Sequence, residues 1–339
     1  MTEVSMQRSP TSLSRWKKVC GVVALLFLMA GSIHPNWAAD SPTPGGTDSL
    51  LHVGFSKSMF VEVNENDVKA AVKGWAQVLM KGNGLSVDPQ ISVMNGTEEI
   101  SRALRGKLVD AFALTTEEYW VLEKDMQSSH AVLGAFDGRL KEEYVILVHR
   151  ESGVERIGDL RGRNINLFQN PRMSLAQAWL DLLLVQAGLE PASKHFNRIS
   201  QLNKLPRAVL PVFFRQSDAC LVTRRGFETM SELNPQVDQK LRVIASSPEL
   251  VPAGFFLRGD LPHSMRDKMF VEFSKIHEVP SGRQALLVFQ SGNLEVHPIS
   301  VLNSAFDLLN SHRRLCASTS GAKTIEAGVM SKEAKIGVH

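Results

Sequence analysis

The chain has 339 residues, 43% of them hydrophobic and 22% charged, with 24 glycines and 15 prolines. That balance excludes a chain disordered throughout and a collagen-like or proline-rich fibre. The formal charge of +3 resides in the first 39 residues, where Arg8, Arg15, Lys17 and Lys18 face only Glu3; beyond them 34 basic and 34 acidic residues cancel, so no nucleic-acid partner is expected.

Residues 1–39 read as a signal peptide or N-terminal anchor. Arg15, Lys17 and Lys18 flank the uncharged run Cys20 to Gly31. This run suits a signal core and falls short of the roughly 20 residues of a transmembrane helix. The small residues Ala38 and Ala39 favour cleavage near Ala38 to Asp40; an uncleaved leader would instead tether the chain to the inner membrane. Either way the folded part is exported, and the expected location is the periplasm. Residues 40–49 form a polar Pro/Gly linker. Three cysteines exclude a disulfide scaffold and a four-thiolate metal cluster. Cys220 sits in an apolar run as a small hydrophobe, and it either stays free or pairs with Cys316.

In chain order, Leu50 to Phe55 predicts a strand ending at Ser56, Lys57 and Ser58. Asp67 to Met80 predicts a helix with Val68, Ala71, Val72, Trp75, Val78 and Leu79 on its apolar face, stopped by Gly82 and Gly84. Pro89 to Met94 predicts a second strand, followed by a helix that Thr97 would cap. Val109 to Leu114 predicts a third, ending at Thr115 and Thr116. This alternation favours a parallel sheet with helices on both faces. A second region repeats it: strands over Tyr144 to His149, Arg163 to Phe168, Lys194 to Ile199, Ser217 to Val222, Leu241 to Ala245 and Gly254 to Arg258. Among these lie a long helix from Leu175 to Ala187, with Ser174 and Gln177 as a capping box, and a helix over Leu205 to Arg215 that Pro211 would kink. Helices over Ser264 to Val279, Gly282 to Gln290 and Val301 to Leu309 close the fold. The expected organisation is α/β in two lobes, 50–142 with 247–314 and 143–246, followed by a flexible tail over 315–339. A cleft should lie where the carboxyl ends of the strands meet.

The sequence holds no Gly-x-Gly-x-x-Gly turn, phosphate loop or Gly-x-Ser-x-Gly elbow, and its histidines make no zinc-binding pair. No enzyme, cofactor or metal is therefore expected. Glu98 and Glu99 suit the first turn of a helix; Glu117 and Glu118 stand out because they directly follow a strand.

Ala103 to Tyr119, with Gly-Lys-Leu-Val-Asp leading into a strand and a small polar turn, resembles the phosphate/phosphonate-type periplasmic solute-binding proteins of ABC transporters. Tyr144 to Arg172, Pro252 to Pro262 and Ser281 to Gln290 resemble that family's second-lobe entry, last crossing and late helix. The resemblance runs from about Leu50 to Ser304. It implies a two-lobed periplasmic binding protein fold of type 2 that closes on a small anionic solute. Hydroxyls and backbone amides at helix N-termini would hold the anion, where exposed N–H groups and the positive helix end favour negative charge. The positions so implied are Ser56, Ser58, Thr115, Thr116 and Tyr119 in the first lobe, and Tyr144, Asn170, Arg172, Ser174, Asn203 and Lys204 in the second. Phe60 would join Tyr119 and Tyr144 along the cleft unless they pack in the core. The loop at Asn170 to Ser174 carries fewer hydroxyls than the family's, and Arg172 and Lys204 either compensate by pairing with the anion or are solvated surface charges. The resemblance implies capture of a phosphate- or phosphonate-like anion for an ABC permease; the alternative is a periplasmic sensor that reports to a membrane protein.

Overall fold

The computed structural model describes residues 50–60, 64–82, 86–88, 91–136 and 138–317. The leader, the linker, Gly84, Pro89, the side chains of Trp75, Val78 and Leu79, and the tail from 318 onward lie outside the described residues.

The first region comprises β1 (Leu50–Leu51), β2 (Val53–Ser56), α1 (Glu65–Gly82), β3 (Ser86–Val87), β4 (Ser92–Met94), α2 (Thr97–Arg105), β5 (Ala111–Thr115), α3 (Thr116–Met126) and β6 (His130–Ala135). The chain then crosses to β7 (Tyr144–His149), β8 (Asn164–Phe168), α4 (Ala176–Gln186), α5 (Ala192–His195), β9 (Arg198–Leu202), α6 (Leu205–Phe213), β10 (Ala219–Thr223), α7 (Arg224–Leu233), α8 (Gln236–Lys240) and β11 (Leu241–Ser246). It returns through β12 (Ala253–Leu257), α9 (His263–Lys275), α10 (Pro280–Val288) and β13 (Asn293–Pro298), and ends in α11 over 303–317. Two main sheets result, ordered β13-β6-β12-β5-β2-β4 and β11-β7-β10-β8-β9, beside a small parallel pair of β1 and β3. This is the two-lobed α/β architecture.

The sheets are mixed, which corrects the expectation of a parallel sheet. β2 pairs in parallel with β4 and β5, and β8 with β9 and β10. The strands on either side of each crossing run antiparallel to their neighbours: β7 to β10 and β11, and β12 to β5 and β6. Each of these two strands is the first that the chain forms after a crossing, and each runs opposite to the parallel set of the lobe that it enters. β5, β7 and β10 are buried along their whole length, as expected for continuous apolar strands covered on both faces.

Several local expectations change. Gly96 takes the N-cap position of α2, with Thr97 already helical. Ser174 does not cap α4; Leu175 precedes that helix without a side-chain cap, and the Ser174 hydroxyl donates to Pro252 O. Lys194 and His195 belong to the short α5, so the strand starts later, at Arg198. β6, β13, α3 and α7 were not anticipated. α11 continues past Arg314, so the start expected for the tail is helical.

The two crossing segments run side by side. Glu142 and Leu250 exchange both backbone hydrogen bonds, at 2.8 and 2.9 Å, and Tyr144 O accepts from Ser247 N at 2.8 Å. α11 is a further connection: Ala305 and Leu309 join the core of the second sheet, while Phe306 stacks on Tyr119 in the first lobe, at 6.2 Å between centroids. Cys220 is buried in β10 and Cys316 is exposed on α11, and both are free, so the disulfide alternative falls.

Gly259 follows β12 where two backbones nearly touch. A Cβ there would stand 2.0 Å from Gln127 O, and Gly259 N donates to Met126 O. Gly259→Ala is expected to destabilise the fold by about 1–3 kcal/mol, measured by urea unfolding; an unchanged midpoint would contradict this close approach.

Candidate functional site

The loops at the strand ends form two cavities between the lobes, of about 580 and 830 Å³, which share Phe168 and Asn170. Their electrostatics are opposite.

The smaller cavity holds the hydroxyl cradle implied by the sequence. Thr115 caps α3, and Thr115 and Glu118 form a capping box: Glu118 N donates to Thr115 Oγ1 at 3.2 Å, and Thr115 N donates to Glu118 Oε2 at 2.9 Å. The Thr115 hydroxyl adds a donation to Oε2 at 3.0 Å. The other carboxylate oxygen, Oε1, accepts from Ser56 Oγ at 2.5 Å and Ser58 Oγ at 2.8 Å. Glu118 therefore sits in the cradle as an internal anion and takes the hydroxyl donors of Ser56, Ser58 and Thr115. Glu117 lines the same cavity, and among the described lining residues there is no cation. Burial, the attraction of His312 opposing it and the like charge of Glu118 adding to it, pushes the Glu117 carboxyl above its ordinary value.

The larger cavity is lined by Arg172, Lys204 and Arg225 against one carboxylate, Glu142. Glu142 is 3% exposed, and its Oε1 accepts from Arg172 Nη1 at 2.9 Å and Arg225 Nη2 at 2.5 Å. Both guanidiniums lie by the ring of Phe136, at 5.9 and 4.5 Å from its centroid. Arg172 Nη2 also donates to Gln290 O at 2.8 Å, a contact between the second-lobe loop and the end of α10. Burial lowers the Arg172 guanidinium from its ordinary value, opposed by Glu142. Asn203 and Lys204 stand exposed just before α6, whose N-terminus carries no side-chain cap, and no acidic partner meets Lys204 among the described residues. Thr223, Arg225 and Gly226 bring the start of α7 to the same wall.

The positions implied by the sequence thus divide into three groups. Ser56, Ser58, Thr115 and Ser174 lie on the acidic side, and Ser56 is itself buried. Asn203, Lys204 and Arg172 lie on the basic side, and Asn170 touches both, its Oδ1 accepting from Arg172 N at 3.0 Å. Thr116, Tyr119 and Tyr144 are in the cores, which corrects their placement along the cleft. Thr116 Oγ1 donates to Val251 O at 2.7 Å. Tyr119 stacks on Phe256 at 4.1 Å, and Tyr144 donates to Arg172 O at 3.0 Å. Burial raises the pKa of both phenols. Phe60 packs beside Phe55 at 5.7 Å.

A family model for the periplasmic substrate-binding proteins of ABC phosphonate transporters matches residues 59–296. The chain belongs to this family. Members are exported to the periplasm and bind small anionic solutes for ABC permeases. A search of curated proteins finds no match. Solved structures agree on the fold. XAC2383 of Xanthomonas citri, solved bound to ATP, is 16% identical with a TM-score of 0.59 and covers 78% of this chain and 98% of its own. The binding component of an ABC phosphonate transporter from Pseudomonas aeruginosa is 13% identical, TM-score 0.55, covering 85% and 97%. PhnD1 of Prochlorococcus marinus, solved with methylphosphonate, is 16% identical, TM-score 0.54, covering 77% and 97%. Among the described residues of this phosphonate-type binding protein, no helix is long and apolar enough to cross a membrane, and no group of His, Cys, Asp and Glu is placed to hold a metal.

Sequence reasoning passed over Glu118 as a ligand of Ser56 and Ser58, and it passed over Glu142 and Arg225 altogether. Thr115-x-x-Glu118 is a capping-box pattern directly after a strand and was available as a signal. Glu142→Ala should strand two largely buried guanidiniums and cost about 3–5 kcal/mol, whereas Glu118→Ala should cost about 1 kcal/mol through its cap. Chemical denaturation of both variants checks this order, and equal losses would contradict it.

Proposed function

We propose that the anion binds on the basic side of the cleft, with its head on Lys204 and Arg225 beside Arg172, Asn170 and Asn203. The observation that carries this reading is the surplus of cations: among the described residues three cationic side chains against one carboxylate line this cavity, whereas two carboxylates and no cation line the other. Net positive charge along the wall attracts an anion, whereas carboxylates beside the hydroxyl donors repel it. The cradle of Ser56, Ser58 and Thr115 already holds a carboxylate that is tethered and loses no translational freedom on binding, so a free anion competes there at a disadvantage.

A head between the start of α6 and Gln290 touches both lobes. It binds the closed arrangement better and shifts the population toward it. The closed receptor then delivers the solute to an ABC permease, and no bond is made or broken. A membrane sensor would read the same closed state.

Calorimetry with phosphate and methylphosphonate tests the site. Lys204→Ala removes an exposed charge that meets no acidic partner among the described residues, and it is expected to weaken binding about tenfold to a hundredfold, the worth of a hydrogen bond to a charged group. Ser58→Ala should leave affinity unchanged, since Glu118 takes its hydroxyl. The reverse pattern would return the anion to the hydroxyl cradle, and recovery of a chemically altered ligand would replace the receptor reading with an enzyme.

A further inference from the structure

The core of the first lobe contains a cavity of about 160 Å³ between its sheet and the helices α1, α9 and α10. Its floor follows from strand register. Val132, Phe255, Ala113 and Phe55 are successive cross-strand partners on β6, β12, β5 and β2, so they share one face of the sheet. The small Ala113 stands between two phenylalanines whose ring centroids are 6.4 Å apart, and space opens above it. Phe273 and Phe289 close the sides, at 4.7 Å from Phe255 and 5.5 Å from Phe55. Phe255 lies in the sheet interior with partners on both sides, yet it is only partly buried. A close-packed protein interior rarely keeps such an apolar void unfilled.

The cavity adjoins the cleft. Asn170, Arg172 and Gln290 line both this cavity and the basic one, and the Arg172 Nη2 to Gln290 O hydrogen bond lies at their common wall. A polar head on the basic side therefore has an apolar chamber next to it.

We propose that the solute is an amphiphilic anion: a phosphonate or phosphate monoester whose apolar tail passes the Arg172–Gln290 wall and fills the chamber over Ala113. The head-group half rests on the anion reading above, and the tail half rests on the cavity alone. A cavity of about 150 Å³ accepts a benzene molecule, so the tail holds about six carbons. Simple inorganic phosphate would leave the chamber empty and bind weakly.

The test titrates the full chain with phosphate and with methyl-, propyl-, hexyl- and decylphosphonate, and follows thermal unfolding with hexan-1-ol as a neutral probe. Each methylene from methyl to hexyl is expected to tighten binding about threefold to fourfold, with no further gain at decyl and an increasingly negative heat-capacity change. Ala113→Leu fills the chamber from the sheet, and Ala285→Leu does so from α10. Either should bring hexylphosphonate down to the affinity of methylphosphonate while leaving the latter unchanged, and should abolish the stabilisation by hexan-1-ol. Equal affinities along the series, a rise continuing through decyl, or an undiminished hexyl preference in both variants would overturn the tail inference while the anion site stands. Stabilisation by hexan-1-ol without binding of any anion would instead overturn the head-group reading and keep the chamber. Neither response would remove both.

Discussion

The carboxylate of Glu142 is the constraint on which the cleft depends. It is nearly excluded from solvent at the point where the two crossing segments pair, and one of its oxygens accepts from both Arg172 and Arg225. A buried charge that lost its partners would be costly, so the loop after β8 and the start of α7 are held to the crossing. Arg172 also reaches Gln290 O at the end of α10. Three parts of the chain, far apart in sequence, thereby meet at one oxygen atom, and Arg172 links them to a fourth. One acid facing two bases also leaves positive charge over, and that excess points into the larger cavity.

The cleft is consequently polarised. At one end a carboxylate satisfies three hydroxyls and a backbone amide at the start of α3. At the other, guanidiniums and an ammonium meet the uncapped start of α6. The same type of fold surface, a strand end followed by a helix N-terminus, occurs at both ends with opposite character. The difference lies in what fills it: at α3 the chain supplies its own anion to the helix start, and before α6 it places Lys204, which meets no acidic partner among the described residues. Fold membership sets the frame, and a few side chains decide the charge that each end presents.

Much of the architecture was legible in the sequence because it rests on local patterns. The continuous apolar runs at Val109 to Leu114, Tyr144 to His149 and Ser217 to Val222 became buried strands. Sheet direction was not legible, since it depends on which strand crosses between lobes. The capping boxes show why local pattern alone is insufficient. Ser174 and Gln177 have the spacing, but the Ser174 hydroxyl found Pro252 O across the cleft; Thr115 and Glu118 have the same spacing and form the box. The basic site was hidden in a similar way. Glu142 and Glu143 precede β7, and Arg224 and Arg225 follow Thr223, which pairs with Tyr144. Only that register brings Glu143 to Arg224 at 2.5 Å and Glu142 to Arg225.

The two described cysteines differ in a way that has a practical consequence. Cys220 is sealed in the central strand of its sheet, where burial pushes its thiol up and keeps it protonated. Cys316 is exposed on α11, the helix whose side chains rest in both lobes. Thiolate chemistry follows access and ionisation, so a maleimide dye added to the folded protein modifies Cys316 in preference to Cys220. The fluorophore would then ride on an element that packs against both lobes, the same helix whose Arg313 lies over the ring of Trp120. Among the described residues one exposed native thiol thus offers a labelling site on a helix that contacts the cores of both lobes.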